Sequence, residues 1–189
     1  MSPQDANMNV VMLVEGFPRL GFSSFASMIS DGTPGVCITR LHPEYVMEKF
    51  GLLSPKYYWL SGSKGDNVIS PKTLTALTKA VKQEAKDRKV IFFLDGLEYL
   101  LLWNDMRKLL ATLEEINQSL KVNGGVMYIG IDPLTLEQKD LDRLWAVFPK
   151  MQLDESTVKE AQRSGQEVAS SQGQITGGQH PGRPLTASM

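Results

Sequence analysis

The sequence predicts an α/β domain in three layers, with a mainly parallel sheet between two layers of helices. Short apolar runs alternate with longer segments of helical periodicity between residues 9 and 147. This alternation is typical of parallel strands joined by right-handed helical crossovers. The run VIFFL at 90–94 is continuously apolar, as expected of a central strand buried on both faces.

The composition limits the classes of protein to which the chain can belong. Its 189 residues are 42% hydrophobic and 22% charged, which suits one globular domain. The net charge of −1 gives no reason to expect nucleic acid or an anionic membrane as a partner. Cys37 is the single cysteine, which excludes an internal disulfide, and no signal peptide or membrane-spanning run is recognisable. We therefore expect a soluble, cytoplasmic protein.

The first part of the chain is predicted to alternate strands and helices. Strands are expected at 9–14, 36–39 and 57–60. A helix is expected to begin at Ser23 or Ser24, because serine is a good helix cap, and to end at 31–35. A second helix is expected at 44–50, with Gly51 as its stop. Cys37, in the middle of a strand, is expected to be a buried apolar residue.

The second part of the chain continues the alternation. Ser70 and Pro71 predict the start of a third helix that runs to about Asp87, since serine caps well and proline is favoured at the first helical position. The remaining predicted elements are the strand at 90–94, a helix at 105–122, a strand at 126–131 and a helix at 138–147. From about residue 152 the chain is rich in Ser, Gln, Gly, Thr and Pro, which cannot offset the entropy of ordering. We therefore expect a globular domain at 8–150 and a disordered tail at 151–189.

The segment after the first strand has the spacing of a phosphate-binding loop. Gly16 and Gly21 are separated by four residues and Ser23 follows, which fits G-x-x-x-x-G-K-[ST] between a strand and a helix. In a working loop, backbone N–H groups surround the phosphates, the lysine contacts the β- and γ-phosphates, and the hydroxyl contacts Mg²⁺. Here Phe22 occupies the lysine position. Arg19 is the only cation within the loop that could replace the missing charge.

Two readings of this loop remain open. It could be a degenerate phosphate loop, although Pro18 removes one of the N–H groups that such a loop uses. The other reading is an ordinary strand-to-helix turn with two glycines and a buried Phe22. The spacing alone favours the ordinary turn, because a match with two glycines is a weak signal.

Charged residues follow two of the predicted strands. Asp95 and Glu98 come after the strand at 90–94, and Arg40 follows the strand at 36–39. Ligands of parallel sheets bind outside the carboxyl ends of the strands. Arg40 could bind a phosphate, but we favour its pairing with Asp95 across the top of the sheet. Asp95 and Glu98 could also form an acid/base pair, although we favour a solvated Glu98. No catalytic residue and no metal site is expected.

Several short blocks resemble an archaeal family known as domain of unknown function 835. The blocks are GVCITR at 35–40, HPE at 42–44, KFGL at 49–52, YWL at 58–60, ISP at 69–71 and LDGLEYL at 94–100. They are similar to the family patterns GLCITR…P…KYGL, IIWL and ISP, and the last block matches residue for residue. The resemblance spans roughly residues 10–148. Because the family has no settled activity and often accompanies sensor or membrane proteins, it implies a regulatory or interaction role.

A more distant resemblance is to the RecA-like ATPases of the circadian-clock KaiC type. In both, a phosphate loop, a helix, a strand, a helix and a strand ending in Asp follow in the same order. The resemblance implies a degenerate RecA-like fold that retains Ser23 and Asp95 at the magnesium-side positions. The two glutamates that end the second strand of those enzymes are replaced here by Thr39 and Arg40. Such a site should hydrolyse ATP poorly, because its chemistry depends on positioning and charge stabilisation.

The sequence therefore favours a non-catalytic regulatory or protein-interaction module without a cofactor. Its partner would be another protein, docked on the top of the sheet or on the long helix, and the fold analogy leaves a homo-oligomer open. The alternative is an ATP-binding protein with Mg²⁺ and weak or no hydrolysis. The residues that would bind the nucleotide are Gly16, Arg19, Gly21, Ser23 and Asp95.

Overall fold

The computed structural model describes residues 8–16, 19–29 and 32–154, and within them the strands form one parallel sheet. The strands are β1 (Val10–Val14), β2 (Gly35–Thr39), β3 (Lys56–Leu60), β4 (Val68–Ile69), β5 (Ile91–Asp95), β6 (Val126–Ile131) and β7 (Lys150–Gln152). Their order in the sheet is β4-β3-β2-β5-β6-β1-β7, and every neighbouring pair is parallel. The predicted α/β class and parallel sheet are confirmed.

Helices cover both faces of this sheet. They are α1 (Gly21–Met28), α2 (Pro43–Phe50), α3 (Leu74–Glu84), α4 (Leu97–Leu101), α5 (Met106–Asn123) and α6 (Gln138–Val147), with a short 3₁₀ turn at Pro133–Thr135. Successive side chains of a strand point to opposite faces, and the apolar residues accordingly form two cores. Phe22 and Val46, from α1 and α2, belong to the smaller core, whereas Leu77, Leu113 and Leu144, from α3, α5 and α6, belong to the larger core.

The central strand β5 contributes to both cores, as its apolar run predicts. Phe92 and Leu94 lie in the larger core, and Phe93 lies in the smaller core. Each of the three is completely buried. The strand begins one residue later than expected and includes Asp95, so this carboxylate sits at the end of the strand. Cys37, on the neighbouring strand β2, is buried as predicted, and burial raises the pKa of its thiol.

Two helices begin at residues that the capping rules did not predict. Helix α1 begins at Gly21 and not at Ser23 or Ser24, because the side chain of Glu15 accepts a hydrogen bond from the first N–H of the helix and replaces a local serine cap. Helix α3 begins at Leu74 and not at Ser70. There the preceding residues pair with β3 as strand β4, which keeps the chain extended up to Ile69.

The edge strand β7 was not predicted. Its three residues are all exposed, so they carry no apolar alternation that would mark a strand. They pair with β1, with Met12 opposite Lys150, and the following Leu153 is buried in the smaller core. The predicted domain boundary at residue 150 falls within this strand. The predicted disorder of the tail concerns residues outside those described, apart from its first four.

The apolar residues on either side of Tyr99 divide between core and surface. Leu97 and Leu100, on the short helix α4, are buried. Leu102 and Trp103 follow the helix and are 73% and 51% exposed. No helix of the described segments is long and apolar enough to cross a membrane.

Candidate functional site

The candidate site lies where the carboxyl ends of β1, β2, β5 and β6 meet at one edge of the sheet. The helices that follow β1 and β2 pack in the smaller core, and those that follow β5 and β6 pack in the larger core. In the sheet, β2 is next to β5, and β6 is next to β1. The chain therefore leaves neighbouring strands towards opposite faces at two places, which are the places where open α/β sheets bind ligands.

Asp95 is the centre of this site. Its side chain is almost fully buried, and its two oxygens have different partners. One oxygen forms an ion pair with the Arg19 guanidinium, and the other accepts a hydrogen bond from the Thr39 hydroxyl at 3.1 Å. Arg19 lies in the loop after β1, and Thr39 ends β2, so Asp95 joins three separate segments. A buried carboxylate is tolerated because both oxygens are satisfied.

Arg40 lies beside Asp95 but is closer to Glu98. Arg40 Nε is 3.9 Å from Asp95 Oδ2 and 3.1 Å from Glu98 Oε1. The predicted pairing of Arg40 with Asp95 is thus present only as the longer contact, and Arg19 is the closer partner of Asp95. The interpretation of Glu98 as a solvated side chain was wrong, since only 20% of it is exposed. The contact between Arg40 and Glu98 is an ion pair without hydrogen-bond alignment, so these two buried polar atoms have no hydrogen-bond partner.

Glu15 is the residue that sequence reasoning missed. It follows β1 directly, is only 5% exposed, and its Oε2 accepts a hydrogen bond from the backbone N–H of Gly21 at 2.6 Å. Burial raises the pKa of Glu15, while the hydrogen bond from Gly21 and the charge of Arg19 act in the opposite direction. A carboxylate of the chain itself therefore occupies the N-terminus of α1, where a phosphate loop would hold its ligand. The signal that could have revealed it is an acidic residue between a buried strand and a glycine loop.

Two glycines give the Glu15 carboxylate its space. A Cβ atom on Gly130 would lie 2.7 Å from Glu15 Oε1. A Cβ atom on Gly21 would lie 2.7 Å from the Phe93 ring and 3.0 Å from the same Glu15 oxygen. A Cβ atom cannot lie as close as 2.7 Å to another heavy atom, so a side chain at either glycine would require its neighbours to shift. The second glycine of the loop is thus required for close packing against Phe93 and Glu15 within the chain itself.

Phe22, at the lysine position, is part of the smaller core. It is completely buried, its ring stacks on Phe50 with 4.4 Å between centroids, and it meets Phe93 edge-on at 5.1 Å. Position 22 therefore points into the protein and not into the loop.

The other predicted loop residues are only partly assembled. Gly16 is exposed, and Ser23 is half-buried in the first turn of α1, where its carbonyl accepts a hydrogen bond from Ser27. No hydrogen bond in the described part of the chain joins Ser23 to Asp95. Pro18 lies outside the described residues.

The charged cluster is largely neutralised from within. It contains the carboxylates of Glu15, Asp95 and Glu98 and the guanidinium groups of Arg19 and Arg40. Among the residues that the structure describes, no group of three or more His, Cys, Asp and Glu side chains could hold a metal ion. The arrangement holds three loops together by charge.

The comparisons with known proteins give a family and a fold. The family described as "Protein of unknown function (DUF835)" matches residues 21–148, which is more than half of the chain. The chain belongs to this family. The resemblance of its sequence blocks to DUF835 is thus confirmed. The match begins at Gly21, so Glu15 and Arg19 lie before it.

Solved structures with a similar fold include one whose details bear on this DUF835 chain. It comes from a structural study of a protein of Pyrococcus horikoshii OT3, with a TM-score of 0.53 and 16% sequence identity. The similarity covers 79% of this chain and 83% of that chain. At this level of identity the similarity concerns the fold alone. No curated protein matches the chain.

Proposed function

We propose that the chain is a non-catalytic regulatory or protein-interaction module built on a degenerate RecA-like fold. The order of β1, a glycine loop and α1 supports this relation, as does a later strand that ends in Asp95. In the sheet, one strand, β6, separates β1 from β5. The loop and the aspartate therefore lie at the same edge, near enough for Arg19 to bridge them.

One observation carries the proposal: the Glu15 carboxylate occupies the N-terminus of α1, which is where a phosphate loop would hold its ligand. The Glu15 carboxylate accepts the N–H of Gly21 that a phosphate would use. Arg19 neutralises Asp95, which is the carboxylate that would face Mg²⁺. Phe22 supplies no charge and is packed in the core. A nucleotide would have to displace Glu15 and would meet its negative charge.

The ion pair between Arg19 and Asp95 also argues against a bound metal ion. Mg²⁺ at Asp95 would have to compete with the Arg19 guanidinium for the same carboxylate. Because Arg19 already compensates this charge, Asp95 offers less attraction to Mg²⁺ than an unpaired carboxylate would.

Thermal unfolding with and without millimolar ATP and Mg²⁺ tests the proposal. We expect no change in the Tm of the wild-type protein. A ligand at about a hundredfold excess over its Kd would stabilise the folded state by about 2.7 kcal/mol, or roughly 5–11 °C for a domain of this size. The proposal would be overturned by such a rise if Asp95→Asn abolished it and the exposed control Asp66→Asn retained it.

An ATP-binding protein with weak or no hydrolysis is the second candidate. The observation in its favour is that two guanidinium groups, those of Arg19 and Arg40, converge on one carboxylate at the ligand-binding edge of the sheet. Arginine is well suited to bind phosphate. The same unfolding experiment distinguishes the two candidates, because a nucleotide binder gains stability from ATP and an interaction module does not.

A further inference from the structure

Helices α5 and α6 line a surface groove that is separate from the charged cluster, and one of its residues, Leu110, also packs against the larger core. Its volume is about 490 Å³, and it is lined by Arg107, Leu110, Ala111, Glu114 and Arg143. Four of these five residues come from α5, and their spacing of three and four residues places them on one face of the helix. The buried face of α5 is formed by other residues, among them Leu109 and Leu113.

The charges on this face have opposite signs at its two ends. Arg107 lies one turn before the apolar pair Leu110 and Ala111, and Glu114 lies one turn after it. Arg107 and Glu114 are seven residues apart, or roughly 10 Å along the helix axis, so they are too distant to pair with each other. The face continues towards Val122, which is 85% exposed.

Neighbouring charges on the same helix behave differently. Lys108 forms an ion pair with Asp105, and Glu115 forms one with Lys82. Within the described segments, no ion pair joins Arg107 or Glu114 to an oppositely charged side chain. Of the three charged residues that line the groove, Arg143 pairs with Asp140 on its own helix, whereas Arg107 and Glu114 have no ion-pair partner among the described residues.

A second copy of the same helix complements this face when it runs antiparallel to the first. A two-fold axis that passes between Leu110 and Ala111 brings Arg107 of each copy opposite Glu114 of the other. The apolar pairs then meet at the centre, where the small Ala111 side chain allows the helices to approach closely. An acidic ligand would be repelled by Glu114, and a basic ligand by Arg107. Only a partner with the same pattern in reverse satisfies both ends, which is the property of a self-complementary surface.

We propose that this α5 face, Arg107–Leu110–Ala111–Glu114, is the surface on which a second copy of the chain docks through antiparallel pairing of α5. The inference rests on the proposed interaction role and names a partner for it. Stable interfaces bury about 1,200–2,000 Å² in total, and one helix face supplies less, so we expect a weak dimer that depends on protein concentration.

Sedimentation equilibrium of the full chain at several protein concentrations and low salt tests the proposal. We expect a reversible monomer–dimer equilibrium in the wild-type protein. Arg107→Glu and Glu114→Arg should each raise the dimer Kd by roughly tenfold or more, because each creates like-charge contacts at both ends of the interface. The double variant R107E/E114R should restore the wild-type Kd to within about threefold, because the reversed charges again face each other.

Matched controls lie on the same helix. Lys108→Glu and Glu115→Arg alter exposed charges that have partners within the chain, and both should leave the dimer Kd within about twofold of the wild type. Far-UV circular dichroism checks that every variant is folded. A wild-type protein that stays monomeric at all concentrations would overturn the proposal. So would single variants that dimerise normally, or a double variant that is no better than either single one.

These outcomes are separate from the nucleotide test. A monomeric wild-type protein that ignores ATP would refute the dimer and leave the interaction role to another partner. An ATP-dependent rise in Tm would overturn the proposed function, whatever the state of association.

Discussion

Restoring the lysine of the phosphate loop should destabilise the protein without restoring nucleotide binding. Phe22 is completely buried between two other aromatic rings, with centroid distances of 4.4 Å to Phe50 and 5.1 Å to Phe93. The substitution Phe22→Lys removes both aromatic contacts. It also places an ammonium group in an apolar core, where the charged form is strongly disfavoured.

The size of this effect follows from the burial of Phe22. Truncation of a buried phenylalanine costs about 3–5 kcal/mol, which includes the cavity that it leaves. The methylene groups of lysine refill part of that volume, but the ammonium must either lose its proton or draw water into the core. We expect a net loss of at least about 3 kcal/mol, a large part of the roughly 5–15 kcal/mol that keeps a typical domain folded.

Urea unfolding at pH 7, followed by circular dichroism, measures this loss. Phe22→Leu is the matched control, since it keeps an apolar side chain and should cost only about 1–2 kcal/mol. The reasoning would be refuted if Phe22→Lys were as stable as the wild type and gained an ATP-dependent rise in Tm. That result would mean that position 22 faces the loop.

Substitutions at three charged positions, each followed by urea unfolding, test the roles of these groups. Asp95→Ala should cost about 3–5 kcal/mol because it leaves Arg19 without its partner, and Asp95→Asn should cost less; equal losses would contradict this reasoning. Glu15→Gln should gain stability relative to the wild type as the pH rises from about 4.5 through the raised pKa of Glu15, since burial disfavours the ionised form; a gain that is independent of pH would argue against it. Burial acts to raise the pKa of Glu84, but hydrogen bonds from Lys56 and Tyr58 outweigh it and lower the pKa. The wild type should therefore be more stable than Glu84→Gln above about pH 4.5 and lose this advantage as the pH falls through the lowered pKa.

The elements that carry strong local signals were predicted closely. Helix α5 begins after Asp105, whose side chain accepts the N–H of Lys108 at 2.9 Å, and it ends at Gly124 with φ of 68°. Strand β6 and helix α6 have the predicted bounds. In these cases the cap, the glycine stop and the apolar periodicity all lie within the segment itself, so the sequence is sufficient.

The elements that were missed depend on pairing with distant segments. Strands β4 and β7 are two and three residues long and lie at the two edges of the sheet. Each is extended because it forms hydrogen bonds with a neighbouring strand, and neither has an apolar alternation of its own. Glu15 was missed for a related reason. Glu15 caps α1 only because the loop after β1 brings the N–H of Gly21 back to the Glu15 carboxylate.

The sequence by itself determined the fold class, the parallel sheet, the resemblance to DUF835, and the placement of Asp95 and Arg40 at strand ends. These features follow from local periodicity and from the rule that carboxyl ends of parallel strands share one edge. Only the tertiary structure decided that Arg19, which is 76 residues from Asp95, is its closer partner, and that Arg40 lies nearer to Glu98. The choice among such partners depends on differences of about 1 Å between side-chain positions, and those positions are set by packing across the whole domain.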